Sequence, residues 1–287
     1  MKRNKTFLLP FFIFSLLGQP TSCMLKVLRK APQLRNISKT ACTLTGFAKT
    51  LTQQEEDPQQ EIFVFVGAPG SGKGTLVEVI SQFKECTILG VGEWLRERKA
   101  NETSIKNQMC NGELLDDSLI KDWAIETLTT ALTDKKKKMI ILDGFPRTIA
   151  QAYVFLNWFA ENKELGHFSV VQLHANLNFI EKYALNRASC PECKKQYIPV
   201  DGSPFFSKIL GICDDCGVPL EKRCDDTPET LAKRIALYRQ ETAKFLPILE
   251  SNPHAEKTNL YMSCTKENPL DQQLANFKQI LANENGI

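Results

Sequence analysis

Nine consecutive residues, Gly67, Ala68, Pro69, Gly70, Ser71, Gly72, Lys73, Gly74 and Thr75, follow the apolar run 62–66 and open a helical stretch. A glycine-rich turn between a strand and a helix presents backbone N–H groups and a helix N-terminus to an anion, and the missing side chains let that backbone close on the oxygens. Lys73 adds a cation that can reach between terminal phosphates. The chemistry of this loop is therefore polyphosphate binding. Its strict form carries Ser or Thr directly after the lysine, whereas here Gly74 intervenes and Thr75 follows.

A second group is Cys190 with Cys193 and, after nineteen intervening residues, Cys213 with Cys216. Two Cys-x-x-Cys knuckles at this spacing suit tetrahedral thiolate coordination of Zn²⁺, a structural site because four sulfurs leave no position for water. Paired disulfides are the competing reading of the same residues. Cys86, Cys110, Cys224 and Cys264 have no such spacing and read as core thiols. Asp143, at the end of a further apolar run, falls where open α/β sheets bind ligands, outside the carboxyl ends of the strands.

The elements that must position these groups alternate in type. Residues 62–66, 138–142 and 168–173 are short β-rich runs without polar alternation, as expected of strands covered on both faces, and 260–264 is a weaker fourth. Helical patterns lie at 75–83, 92–99, 117–132, 149–162, 177–187, 228–249 and 269–283. Strands separated by helices imply a parallel sheet with right-handed crossovers.

The departure at Gly74 carries information, because the loop resembles that of the nucleoside monophosphate kinases, the adenylate kinase family in particular. The segment from Leu142 to Gln151, which reads LDGFPRTIAQ, supports the resemblance, as do GEWLR at 92–96 and GELL at 112–115. The resemblance spans about residues 61–283 and implies an α/β fold of the P-loop NTPase type, a five-stranded parallel sheet with helices on both faces. It implies a CORE of residues 61–89, 121–187 and 227–287, a monophosphate-binding insertion at 90–120 and a zinc-ribbon LID at 188–226. The implied reaction is Mg²⁺-dependent transfer of a phosphoryl group from ATP to AMP, giving two ADP. By the same resemblance Asp143 helps hold Mg²⁺, and Arg147 and Arg96 grip the monophosphate. Val91, Glu113, Leu115, Gly144 and Gln151 surround AMP, Gln151 reading the base edge. Arg187, Arg223 and Arg234 complete the catalytic cations, Arg187 toward ATP and the other two also toward AMP. Val91 stands where the family usually has Thr near the base. Tyr183 or Lys182, and Ala188, stand where further LID arginines are common.

Composition limits the remaining choices. The chain of 287 residues has a formal net charge of +3, but residues 1–54 hold nine Lys/Arg and no acid. From residue 55 onward 27 basic residues face 33 acidic ones, which argues against a nucleic-acid binder. The acid-free front combines Lys2, Arg3 and Lys5, an apolar run 7–17 and a polar break, followed by a basic, Ser/Thr-containing stretch. That order reads as a signal- or transit-like leader at 1–54, outside the fold. A lipoprotein site at Cys23, a simple anchor, or a start at Met24 are the other readings. The run is too short for a comfortable membrane span, so no stable span is expected in the mature protein; a monomer is expected as well. Localisation is cytoplasmic by family resemblance, or an organelle or exported compartment if the leader functions. A pyrimidine monophosphate kinase and a non-catalytic nucleotide sensor remain as alternatives. A zinc-ribbon nucleic-acid binder conflicts with the acidic body.

Overall fold

In the computed structural model the described residues are 46–48, 60–98, 102–113, 115–134, 136–137, 139–200, 203, 205–262 and 270–283. The apolar run after Gln60 forms β1 (Glu61–Gly67), buried on both faces from Ile62 onward. It is the middle strand of a five-stranded sheet containing β2 (Cys86–Gly90), β3 (Met139–Asp143), β4 (Phe168–Ala175) and an edge strand at Ala255–Met262, in the order β2-β3-β1-β4-edge. All pairs are parallel.

Alternate residues of β1 face opposite cores. Phe63 and Phe65 join Leu76, Ile80 and Leu274, whereas Ile62, Val64 and Val66 join Leu128, Phe155 and Phe245. The helices that cover these faces are α1 (Lys73–Ser81), α2 (Val91–Arg98), α3 (Thr103–Cys110), α4 (Asp117–Thr133), α5 (Ile149–Glu161), α6 (Leu177–Ala184), α7 (Pro228–Glu250) and α8 (Leu270–Asn283). Their starts are chemically marked. Asp116, Thr148, Asn176 and Thr227 each accept a backbone N–H of the following turn, and Pro228 occupies the first turn of α7.

A second, three-stranded antiparallel sheet lies between α6 and α7, with β5 (Ala188–Ser189) between β6 (Gln196–Tyr197) and β7 (Glu221–Lys222). The strand at Ala255–Met262 is then β8. No described helix is long and apolar enough to cross a membrane.

Several expectations need adjustment. The fifth strand, β2, and helix α3 were not legible, and β8 begins at Ala255 rather than 260. Both β2 and β8 are edge strands with mixed exposure, so they lack the continuous apolar signal of the centre. The exclusion of all of 1–54 from the fold is corrected: Gly46, Phe47 and Ala48 are helical, and Phe47 and Ala48 are buried in the main core. Phe47 packs edge-on against Phe63 and Phe65, at ring separations of 6.2 and 6.3 Å. The rest of 1–54, and Cys264, lie outside the described residues.

Candidate functional site

The loop between β1 and α1 turns on two glycines in the left-handed region, Gly70 with φ 76° and Gly72 with φ 93°. An L side chain would be strained at either position. Gly72 caps α1 without any side-chain acceptor, so no side chain of the cap competes with an anion for the first N–H groups of the helix. Lys73 Nζ donates to the carbonyls of Gly67 (2.6 Å) and Ala68 (3.0 Å), which aims the ammonium along the loop. Enclosure by protein pushes its pKa down to about 8, an effect only partly opposed by Asp143. Ser71 is fully buried and its hydroxyl has no partner among the described residues. Ala68 packs with the α6–α7 contact around Ile180 and Leu231, so its carbonyl is its contribution to the loop.

Asp143 ends β3 in register with Phe65 of β1 and Gly90 of β2. A Cβ built on Gly74 would lie 4.0 Å from its Oδ2, so the residue that departs from the strict motif sits beside this carboxylate. Gly144 follows with φ 84°, and a Cβ there would come within 2.5 Å of an Arg147 Nη. Glycine is required at that position for the guanidinium to lie back over the strand end. The next peptide, Phe145–Pro146, is cis.

Cations crowd this edge of the sheet. Burial, reinforced by Arg234, lowers the pKa of Arg147 to about 10. Burial, reinforced by Arg187 and Arg96, lowers that of Arg223 to about 9. Arg96 is shifted down by burial as well. Guanidiniums keep their protons at neutral pH, so these shifts express burial first and, after it, mutual repulsion that an anion would relieve. Two members are partly neutralised: Arg187 makes a bidentate pair with Asp226 (2.9 and 2.6 Å), and Arg234 pairs with Asp225 at 2.6 Å. Arg223 has a buried Nε without a partner among the described residues. A cluster of guanidiniums that outnumbers its carboxylates is built for phosphate.

Two cavities meet at these cations. The larger, about 940 Å³, runs along Gly70–Thr75 past Asp143 to Arg187, Arg223 and the cysteine knuckles. The smaller, about 150 Å³, is lined by Val91, Leu115, Gly144, Gln151, Tyr238 and the exposed Glu113, among others. Lys73, Arg96, Arg147 and Arg234 line both. Arg223 faces only the larger cavity, whereas every other residue expected around the monophosphate lines the smaller one. Lys182 is exposed, and Tyr183 stacks on Phe179 at the wall of the larger cavity.

The knuckles converge as the spacing requires. One ligand atom from each of Cys190, Cys193, Cys213 and Cys216 falls within 4.8 Å of the others, and the Cys193 and Cys213 sulfurs are 3.6 Å apart. Tetrahedral thiolates on zinc stand about 3.8 Å apart, so the donor set fits that ion. The two knuckles are the same turn made twice. In each, the residue after the second cysteine is left-handed (Lys194, φ 64°; Gly217, φ 72°), and its N–H returns to the carbonyl of the first cysteine. Tyr197, whose hydroxyl lies 3.5 Å from Cys213 Sγ, lowers that thiol's pKa to about 6.

Two further points went beyond the sequence reading. Asp117 accepts from Gln151 Nε2 (2.8 Å) and from Thr148 Oγ1, while Gln151 Oε1 accepts the Arg147 N–H (2.8 Å). This fixes the amide at the wall of the smaller cavity, and nothing local marks Asp117 for that role 34 residues away. The expectation that Cys110 and Cys224 are core thiols is corrected: they form a disulfide across 114 residues of sequence. Only the tertiary fold brings the end of α3 against the loop after β7. Cys86 is a free thiol on β2 whose pKa is raised by burial.

Residues 65–253 match the family model described as Adenylate kinase. The chain is 33% identical over 193 residues to the adenylate kinase of Onion yellows phytoplasma, covering 66% of this chain and 84% of that protein. It is 31% identical over 192 residues to the adenylate kinase of Clostridium novyi, covering 66% and 86%. Against the adenylate kinase of Acholeplasma laidlawii the match is 30% over 224 residues, covering 76% and 96%. The phosphate loop, the cation cluster on the strand edge and the extent of these matches lead to one assignment: the chain belongs to the adenylate kinase family.

Proposed function

We propose that the protein is an ATP:AMP phosphotransferase, converting ATP and AMP reversibly into two ADP. The observation that carries this reading is the pair of cavities joined at Lys73, Arg96, Arg147 and Arg234, a geometry suited to two nucleotides whose phosphates meet. ATP lies along Gly70–Thr75, and AMP occupies the smaller cavity with its base toward Val91 and Gln151. A 5′-phosphate oxygen of AMP attacks the γ-phosphorus, and the bond to the β-bridging oxygen breaks. Lys73, Arg147 and Arg234 stabilise the charge spread over the transferring oxygens, with Arg187 and Arg223 on the LID side. Positioning and electrostatics suffice, with no covalent enzyme intermediate. Asp143 is the carboxylate that would hold the hydration shell of a Mg²⁺ bound with ATP, and the ion would supply neutralisation of phosphate charge.

The four cysteines of the LID hold a structural Zn²⁺, a reading supported by the sulfur distances and the paired knuckle turns. The enzyme works as a monomer, and residues upstream of the docked Phe47 act as a targeting leader that sets its compartment. The test is ADP formation from ATP with AMP, CMP, UMP and GMP in parallel. AMP is expected to be the best acceptor by at least tenfold in kcat/KM. CMP or UMP in first place would make the protein a pyrimidine monophosphate kinase, and no turnover with any acceptor despite ATP binding would make it a nucleotide sensor.

A further inference from the structure

The Cys110–Cys224 bridge joins two segments that both border the large cavity. Cys110 ends α3, after Lys106 and Met109, which line the cavity on one side. Cys224 lies in the loop by which the four-cysteine insertion returns to α7. That loop carries Arg223, whose buried Nε has no partner among the described residues, and two carboxylates that hold other arginines, Asp225 on Arg234 and Asp226 on Arg187.

The end of α3 is already seated on α7. Thr230 Oγ1 donates to the Cys110 carbonyl at 3.1 Å, and a Cβ on Gly112 would meet Arg234 and Thr230 at 3.0 Å. The disulfide therefore adds a covalent link from this seat to the arginine-bearing loop, holding the two α-carbons 5.2 Å apart. The large cavity is lined by α2 and α3 on one side and by the insertion on the other, so separation of the two sides would widen its mouth. With the bridge made, that separation is limited at its base, and the closed arrangement is favoured because fewer open arrangements exist to compete with it.

The bridge is also reachable. Cys224 is exposed and Cys110 half-buried; in the candidate metal site Cys190 and Cys213 are buried, Cys216 is half-buried and Cys193 is exposed. An external thiolate can therefore attack at Cys224 Sγ without opening the core.

We propose that Cys110 and Cys224 form a redox-modification site that governs nucleotide release, a reading that rests on the phosphotransferase function above. In the oxidised protein the bridge slows product release and so lowers turnover. Reduction by a dithiol frees it. One thiolate of the dithiol bonds to Cys224 sulfur, and Cys110 leaves as a thiolate and takes a proton. The second thiol of the reductant then displaces Cys224, which leaves as a thiolate and is protonated. Two electrons pass from the dithiol to the protein, and the reductant departs as a cyclic disulfide. Re-formation requires a disulfide oxidant such as an oxidised small thiol.

The experiment uses the full chain with its metal retained, compared after dithiothreitol and after a glutathione redox buffer poised oxidising. Peptide mapping without reduction reports the 110–224 link, and stopped-flow tryptophan fluorescence reports ADP release. Trp94, stacked 4.5 Å from Trp123 on the helix that carries Arg96, is the built-in reporter. Reduction is expected to remove the linked peptide and to raise both the ADP release rate and kcat at least threefold. Cys110→Ser and Cys224→Ser should each show the faster values in both buffers. Failure of the linked peptide to form under oxidation overturns the proposal. So does a formed link with unchanged release and turnover, which would leave a structural staple only. If either variant fails to fold, the wild-type comparison decides alone. Redox-dependent ADP release without any phosphoryl transfer would sink the kinase reading and leave the switch standing, whereas transfer equal in both states would do the reverse.

Discussion

Lys73 is a cation whose charge its surroundings disfavour, burial being the main cause. Its pKa of about 8 means that the free enzyme loses the loop's ammonium as pH rises through that value, well before an ordinary lysine would titrate. The sign follows directly: Lys73 is protonated and phosphate-competent below about pH 8, and neutral above it. We expect kcat/KM for ATP to bend downward near pH 8, and an alkaline limb beginning only above about 9.5 would show that the loop leaves this lysine unperturbed. Arg147 gives a complementary prediction on the other substrate. Its guanidinium lines both cavities, so Arg147→Ala should lower kcat/KM for AMP by about 10- to 100-fold, the range of a lost charge-assisted hydrogen bond of ~1.5–3 kcal/mol. The Kd for ATP in a binding titration should change far less, and the opposite pattern would reverse the two sites.

At the scale of elements, the three-stranded insertion joins the main core only through Ile198, with Val200 and Phe205 packed beside it, and otherwise has a small cluster of its own among the described residues. Its buried cluster consists of Cys190, Tyr197 and Cys213, with Cys216, Val218 and Leu220 packed against it, and its strands are two residues each. So little apolar area cannot hold a fold by itself, which makes its local stability depend on the sulfur ligands and what they bind. Chelation, or Cys213→Ser, should produce an early melting transition in the insertion while the five-stranded sheet melts near its original temperature. Elemental analysis should find one zinc per chain, lost in the variant. Because all four ligand positions come from cysteines, phosphoryl transfer measured below that first transition should change only modestly. A variant with no zinc and an unshifted melting curve would remove the metal from the account.

Across the whole molecule, the core extends to a residue far upstream of the first strand. Phe47 is only 2% exposed and meets Phe63 and Phe65 edge-on, in the cluster that also holds Leu270 and Leu274. Deleting a buried phenyl ring removes its transfer free energy and leaves a cavity, so Phe47→Ala should cost about 3 kcal/mol or more in urea unfolding. A chain beginning at residue 55 should lose as much. Equal stability of all three forms would show that this contact contributes nothing to the fold.

The sequence by itself determined the chemistry wherever function demands a fixed local pattern. Glycines at 67, 70, 72 and 74 around Lys73 are dictated by how closely a backbone must approach phosphate. The two cysteine pairs carry metal-ligand spacing because each knuckle is a local turn, and Asp143 and Arg147 fall on one strand end separated by a glycine that only their proximity requires. The central strands were legible because burial on both faces leaves few polar residues, and no polar alternation, in the run. The edge strands β2 and β8 were not, since exposure of one side mixes the pattern. What the tertiary structure alone decided are contacts between residues distant in the chain: Asp117 orienting Gln151, Asp225 and Asp226 partly neutralising Arg234 and Arg187, Phe47 docking on β1, and Cys110 meeting Cys224. No periodicity or spacing marks such partners in advance. Their pairing is set by crossovers of the parallel sheet, which carry the ends of α3 and β7 to the same wall of one cavity.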